Sequence, residues 1–257
     1  MSPKTRLEID KVRGIVRVYL IATGELLYTL NVVTPRLSMV CVTNRPEFSE
    51  AVWAQYRGQD WPNKELVVID ACEGGSSLKD RADVYVPMPT DTWVGPLRNA
   101  GVKAARGDWI MWFDDDDWRH PALASILMTT ALDTDSCISG LNAYYWIDLD
   151  GKMCRRSCGN WPVFGAAVYR NFHDFPPFRE KPRCKTDSYW LPRMQERGKM
   201  TLSGNADLFV YVHHKTNVHN TDLGMKRVAS EMDDRFFPDE HFGLPAHMEK
   251  IRAGVTA

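Results

Sequence analysis

An α/β domain with a mostly parallel central sheet flanked by helices is the fold this sequence predicts, on three observations. From Leu37 to about residue 150, short apolar runs alternate with amphipathic helical stretches across short connections, the pattern of βαβ units. The apolar runs are short and bounded by turn residues, which suits buried strands better than helices. Each run ends in polar or acidic residues: Thr43-Asn44-Arg45, Asp70, and the four consecutive aspartates Asp114 to Asp117.

Taken in order, Ile15 to Val33 is rich in β-branched and aromatic residues and breaks once at Thr23-Gly24-Glu25, which predicts an N-terminal β-hairpin ahead of the main body. Leu37 to Val42 reads as a strand, and Glu47 to Tyr56 as an amphipathic helix. Trp61-Pro62-Asn63 breaks the chain before a second strand, Glu65 to Ile69. A weaker strand spans Val84 to Val86. Gly95 to Ala105 predicts a helix that begins near Pro96 and stops before Gly107. Trp109 to Phe113 is a strongly apolar strand, and Pro121 opens a helix to about Leu132. Ser136 to Trp146, with a turn at Asp148 to Lys152, predicts a further strand and hairpin. Beyond residue 150 the pattern becomes irregular and rich in proline, aromatics and charge. The predicted organisation is a hairpin extension (1–36), a ligand-binding half (37–150), a second half of the same domain (151–220) and a C-terminal helical extension (221–257). No internal repeat or low-complexity stretch interrupts it.

The chain has 257 residues, 44% of them hydrophobic, and a net charge of −1, so composition gives no global sign of nucleic-acid binding. No window approaches the roughly 18 apolar residues of a membrane span. The start, Met1-Ser2-Pro3-Lys4, lacks the apolar stretch of a secretory signal, and the expected localisation is cytoplasmic. The cysteines at 41, 72, 137, 154, 158 and 184 are scattered, so reduced thiols are expected. Cys154 and Cys158 with His173 and Cys184 offer a loosely spaced zinc alternative to ordinary thiols.

The acidic run carries the chemistry. Neighbouring carboxylates raise one another's pKa unless a cation or hydrogen-bond donors compensate, so four at a strand end are costly. Hard carboxylate oxygens suit Mg²⁺ or Mn²⁺, usually through one or two protein groups plus substrate phosphates. The plainer reading is a solvated acidic turn. Ligands of open α/β sheets bind beyond the carboxyl ends of the strands, where Thr43 to Arg45, Asp70 and Asp114 to Asp117 are all placed. For Asp70 alone, a turn-capping acid is the plainer reading.

In order, these residues resemble the family 2 glycosyltransferases. Met39 to Pro46 is similar to the family's first strand and Thr-x-Asn-Arg-like turn, and Gln59 to Asp70 to its next segment. Arg98-Asn99-Ala100-Gly101 resembles its Arg-Asn-x-Gly helix, and Phe113 to Trp118 its strand and DxD motif. The resemblance implies the GT-A (Rossmann-like) fold and an inverting transfer from a nucleoside-diphosphate sugar, a UDP-sugar as first choice, to a hydroxyl acceptor. It implies a donor-binding set of Thr43, Asn44, Arg45, Asp70, Arg98, Asn99, Asp114 and Asp115. Asp116 would bind a Mn²⁺ or Mg²⁺ ion, with Asp115 as a substitute in the blurred motif.

The second half is less complete. Lys185 to Arg193 resembles the family's helix start, which makes Asp187 the catalytic base. Thr186 replaces the usual acid there, and Pro192 is expected to disturb the helix. A helix N-cap is the competing reading of Asp187. Tyr211 to Asn217 resembles a segment whose histidine, here His214, completes the metal shell, with His213 and His219 as fallbacks. Trp161 to Arg170 resembles the acceptor-side strand, with Gly165 where backbone must approach a ligand closely. A nucleotidyltransferase is the near rival, but it calls for a glycine-rich loop after the first strand. A catalytically idle nucleotide-sugar-binding protein is the other. The acceptor is open between glycan, small molecule, protein and modified DNA. The last rests on the basic stretch Arg179, Lys181, Arg183, Lys185, Arg193, Arg197 and Lys199, which as readily forms a solvated face. The segment 221–257, with Phe236-Phe237-Pro238, is a candidate cover for the acceptor cleft or a dimer contact.

Overall fold

The computed structural model describes residues 5–10, 15–20, 23–31, 34–180, 186–214 and 244–256. The N-terminal part is a three-stranded antiparallel sheet of β1 (Thr5–Asp10), β2 (Ile15–Leu20) and β3 (Leu26–Asn31), in that order. The expected hairpin is β2 with β3. The additional strand is Thr-Arg-Leu-Glu-Ile-Asp, whose apolar and charged residues alternate with period two but over too short a run to stand out.

The main body follows as β4 (Leu37–Thr43), α1 (Ser49–Gly58), β5 (Lys64–Asp70), β6 (Val84–Pro87), α2 (Val94–Ala104) and β7 (Trp109–Trp112). After the aspartates come β8 (Trp118–Arg119), α3 (Leu123–Thr134), β9 (Ile138–Leu141), β10 (Ala143–Asp148) and β11 (Met153–Ser157). The described chain then continues through β12 (Ala167–Arg170), α4 (Thr186–Gln195), β13 (Met200–Ser203), β14 (Phe209–His213) and α5 (Leu244–Thr256). Seven strands form the central sheet in the order β13-β9-β12-β7-β4-β5-β6. Only β12 runs antiparallel to its neighbours, so the expected mostly parallel sheet holds. A second sheet has the order β11-β10-β14-β8.

Strand alternation sorts the core. Leu37, Met39 and Cys41 face Val52 of α1 and Leu127 of α3, whereas Val40 faces Leu97 of α2 and Trp190 of α4. Each such large side chain, fully removed from water, stabilises the fold by about 1.5–3 kcal/mol. A third cluster joins Phe48, Trp118 and Val210 to Leu244, Met248 and Ile251 of α5. There α5 packs so closely that a Cβ on Gly254 would come within 2.6 Å of the Phe48 ring.

Two expectations need correction. Ser136 to Trp146 is not one strand: it divides at Asn142, whose N–H donates to Ser203 O and whose side chain donates to Gly159 O. The first piece joins the central sheet and the second piece the four-stranded one. Pro192 does not end its helix, which continues to Gln195. Trp190 and Met194, both fully buried on either side of it, anchor the helix against the aromatic core, and such packing outweighs the lost backbone bond. No described helix is long and apolar enough to cross a membrane.

Candidate active site

Because β4 pairs with β5 on one side and β7 on the other, the strand order reverses between β4 and β7. The ends of both strands meet at this switch point, where open α/β sheets bind their ligands. Thr43, buried at the end of β4, donates from Oγ1 to Asp115 Oδ2 at 2.6 Å and accepts the Arg45 N–H at 3.1 Å. Asn44 stands exposed at the tip of the turn. At the end of β5, Asp70 is buried. Its Oδ1 accepts the Cys72 N–H at 2.7 Å, and its Oδ2 accepts the Ser76 N–H at 2.9 Å and the Tyr85 hydroxyl at 2.7 Å. Burial acts to raise its pKa, but those donors outweigh it and hold the carboxyl below its ordinary range. Asp70 therefore shapes the 71–76 loop, as a turn-capping acid does.

The four aspartates do different things. Asp114 is half-buried; Asp115, Asp116 and Asp117 are buried. Arg45 pairs with Asp115 through Nε and Nη2, and its Nη2 reaches Asp116 Oδ2 at 2.8 Å. His214, at the end of β14, brings Nε2 to 3.0 Å from the same Asp116 oxygen. Burial pushes the Asp115 carboxyl up to about 6 against the pull of Arg45. For Asp116, burial is outweighed by His214 and Arg45, and the pKa falls below the ordinary value. Asp117 accepts the Val212 N–H at 3.2 Å. Burial, then Asp116 and Asp114, drive its pKa well upward, and its bond to the β14 backbone gives it a structural place.

Two residues missed in the sequence hold this loop. Arg119, buried, donates to the carbonyls of Asp114, Asp117, Trp112 and Gly165 and lies 4.2 Å over the Phe113 ring. A guanidinium spread over carbonyls lets backbone turn sharply without losing its hydrogen bonds. Its position two residues after the last acid was the available signal. His247 of α5 donates from Nε2 to the Asp116 carbonyl at 3.1 Å, and burial lowers its pKa to about 4. Nothing local in the sequence marks a histidine 131 positions from its partner.

Arg98 lies among aromatic rings, 4.2 Å over Phe164, 5.6 Å over Phe178 and 5.8 Å over Trp112. Burial lowers its pKa, and Asp114 and Asp187 are the carboxylates that act on it in opposition. Tyr169 is pushed well up by burial and then by Asp187 and Asp114, so these four groups share one neighbourhood. Asp187 sits in the first turn of α4, half-buried. Gly165 closes this side: a Cβ there would meet Asp114 Oδ2 at 3.0 Å and Arg119 Nη2 at 3.1 Å. Its close approach is to the protein's own acid loop.

Asn99, expected among the donor-binding residues, is tied to the chain's own backbone. Its Oδ1 accepts the Phe178 N–H at 2.7 Å and its Nδ2 donates to Phe178 O at 3.0 Å. The amide ties α2 to the loop before α4. His213 stacks on Trp146 with centroids 4.9 Å apart, on the opposite side of β14 from His214, as strand alternation requires. His219, Cys184, Lys181, Arg183, Lys185 and Phe236 to Pro238 lie outside the described residues. Cys154 and Cys158 are free thiols, and among the described residues no three His, Cys, Asp or Glu side chains assemble as a metal site. Of the basic stretch, Arg179 and Arg193 each lie 3.6 Å over the Tyr189 ring, and Arg197 pairs with Asp174.

The family model described as Glycosyl transferase family 2 matches residues 39–191, from β4 into α4. This chain belongs to glycosyltransferase family 2. A curated relative, "Putative glycosyltransferase EpsH" of Bacillus subtilis (strain 168), is 30% identical over 122 residues, covering 44% of this chain and 35% of the relative. This family 2 chain thus spans about a third of the length of that relative. Among solved structures, S. aureus TarS 1-349 in complex with UDP-GlcNAc matches with a TM-score of 0.56 at 14% identity, over 85% of this chain and 66% of that one. The mannosyltransferase PcManGT from Pyrobaculum calidifontis, in complex with GDP-Man and Mn²⁺, matches with a TM-score of 0.50 at 12% identity, over 86% of this chain and 74% of that one. These likenesses show the GT-A fold. His214 and α5 with His247 lie beyond the matched residues 39–191.

Proposed function

We propose that this chain transfers a sugar from a nucleoside-diphosphate sugar, first of all a UDP-sugar, to a hydroxyl acceptor, with a divalent ion and with inversion. The observation that carries this reading is the meeting of Arg98, Asp114 and Asp187, from three separate segments, beside the pair Asp116 and His214. Membership of the family and the sugar nucleotides held by TarS and PcManGT support it.

The residues present fit a divalent ion. Asp116 Oδ2 and His214 Nε2 are 3.0 Å apart, and adjacent octahedral ligands at about 2.1 Å from an ion lie about 3 Å from each other. Two protein ligands are the usual number where diphosphate oxygens complete the shell. An ion held by that pair would supply Lewis-acid stabilisation of the leaving diphosphate, worth several kcal/mol.

The rest is the chain's own work. The aromatic rings around Arg98 exclude water and fix its guanidinium beside Asp114. Asp187 takes the proton of the acceptor hydroxyl as that oxygen bonds to the anomeric carbon and the bond to the diphosphate breaks. Attack from the side of one base inverts the centre. The base contributes about 10²- to 10⁴-fold, and orientation of the donor roughly 7–11 kcal/mol. The acceptor stays open between glycan, small molecule, protein and modified DNA. Against a nucleotidyltransferase, β4 leads through Thr43-Asn44-Arg45-Pro46 into a 3-10 turn at Pro46–Phe48, without a glycine-rich loop.

Thermal denaturation with a panel of nucleotide sugars, with and without Mn²⁺, tests the proposal. A donor at 100 times its Kd should add about 2.7 kcal/mol. Slow metal-dependent hydrolysis of that donor separates an enzyme from an idle binder. No shift with any nucleotide sugar would overturn the proposal.

A further inference from the structure

The acid loop already holds a cation. Arg45 lies 4.8 Å over the Phe48 ring and grips Asp115 with Nε and Nη2, while Nη2 also contacts Asp116 Oδ2 at 2.8 Å and Nη1 lies 3.5 Å from His214 Nε2. Its guanidinium therefore borders both members of the pair that fits a divalent ion. An ion needs the lone pairs of Asp116 Oδ2 and His214 Nε2 directed at itself, and these atoms now face Arg45 and each other. Two cations in contact with one carboxylate oxygen inside a buried loop repel strongly.

We propose that Arg45 is the stand-in cation of the metal position, neutralising the acid loop in the donor-free protein, and that a divalent ion binds there only as Arg45 gives up Asp116 and His214. This rests on the metal-dependent reading above. The grip on Asp115 shows how the exchange proceeds without stranding a buried charge. The guanidinium keeps its two bonds to Asp115 and the Phe48 face and releases only its contacts with Asp116 and His214. An arriving diphosphate attracts the released edge of the guanidinium, so nucleotide and metal each favour the other's binding, reciprocally. Asp115 is then the pivot of Arg45 and not a substitute metal ligand, which accounts for an acid at the middle position of the motif.

The test is calorimetric titration of the described chain, full length, with Mn²⁺ alone and in the presence of UDP, for the native protein and Arg45→Gln. The expected result is weak Mn²⁺ binding to the native protein without UDP, at least tenfold tighter binding to Arg45→Gln, and a UDP–Mn²⁺ coupling smaller in the variant by a similar factor. Should Arg45→Gln not fold, Arg45→Lys keeps a charge but has a single donor atom to share, and its affinity should lie above the native value. A second readout uses the native protein: the side-chain N–H signal of Arg45 in a ¹⁵N-arginine spectrum should shift on titration with Mg²⁺, as simple charge repulsion from a distance would not require. Equal Mn²⁺ affinities in native and variant proteins, or an Arg45 signal indifferent to Mg²⁺, overturn the proposal. Absence of Mn²⁺ binding in every case, UDP included, overturns it together with the metal reading.

Discussion

Asp114 and Asp117 are the same residue three positions apart, yet one opens toward Arg98 and Asp187 while the other is sealed behind the β14 backbone. Asp115 and Asp116 between them are spent on cations. The difference comes from the turn the chain makes after β7, which Arg119 imposes by collecting four carbonyls. Identity of side chain says little in such a run; the direction of the backbone decides which acid meets solvent, cation or core. The two ends of the run should accordingly answer mutation in opposite ways.

The largest effect is expected at the centre: Asp116→Ala should reduce metal-dependent transfer to background, a loss of about 10³-fold or more, in an assay of released UDP. On the side that Asp114 faces, Asp187→Asn should lower turnover about 10²- to 10⁴-fold and leave the donor Kd, read by calorimetry, unchanged. Native-like turnover in Asp187→Asn would refute its assignment as base. On the sealed side, His247 titrates at about 4 in the fold against about 6.5 when unfolded. A depressed histidine adds stability above pH 6.5 and loses it as pH falls toward 4. The native protein should thus lose up to about 3 kcal/mol over that window, and His247→Gln should show a flatter profile in thermal melts. Asp114→Asn should weaken donor binding by about tenfold, the worth of one charged hydrogen bond. Asp117→Asn, which keeps an acceptor for Val212 and replaces an acid whose pKa burial drives upward, should change stability by less than about 1 kcal/mol. If Asp117→Asn proved as damaging to transfer as Asp116→Ala, the division of the run would be wrong.

The regular half was readable because its physics is local. Buried parallel strands such as Leu37–Thr43 and Lys64–Asp70 are continuous apolar runs, and their polar ends mark the sheet edge where ligands bind. That Thr43, Arg45, Asp115, Asp116 and His214 would meet followed from strand ends and family order, and the structure does bring them together. What they do there was not readable. The sequence did not show that Asp115 would be a partner of Thr43 and Arg45, or that Asn99 would clasp Phe178. Such roles depend on which backbone groups lack partners, and only the folded chain sets that. The break at Asn142 was hidden because both flanking strands are apolar, and only their assignment to different sheets separates them. His247 was hidden by distance along the chain.

The Asn99 clasp has a mechanical consequence. Asn99 is the residue after Arg98, and Phe178 stacks on Trp190 of the helix that carries Asp187, with ring centroids 4.8 Å apart. The guanidinium and the carboxylate that flank the crevice are therefore mounted on one rigid frame of amide and indole. Any shift of the α4 helix would drag Arg98 along with it, so the surrounding loops are free to vary while the spacing of that pair stays fixed.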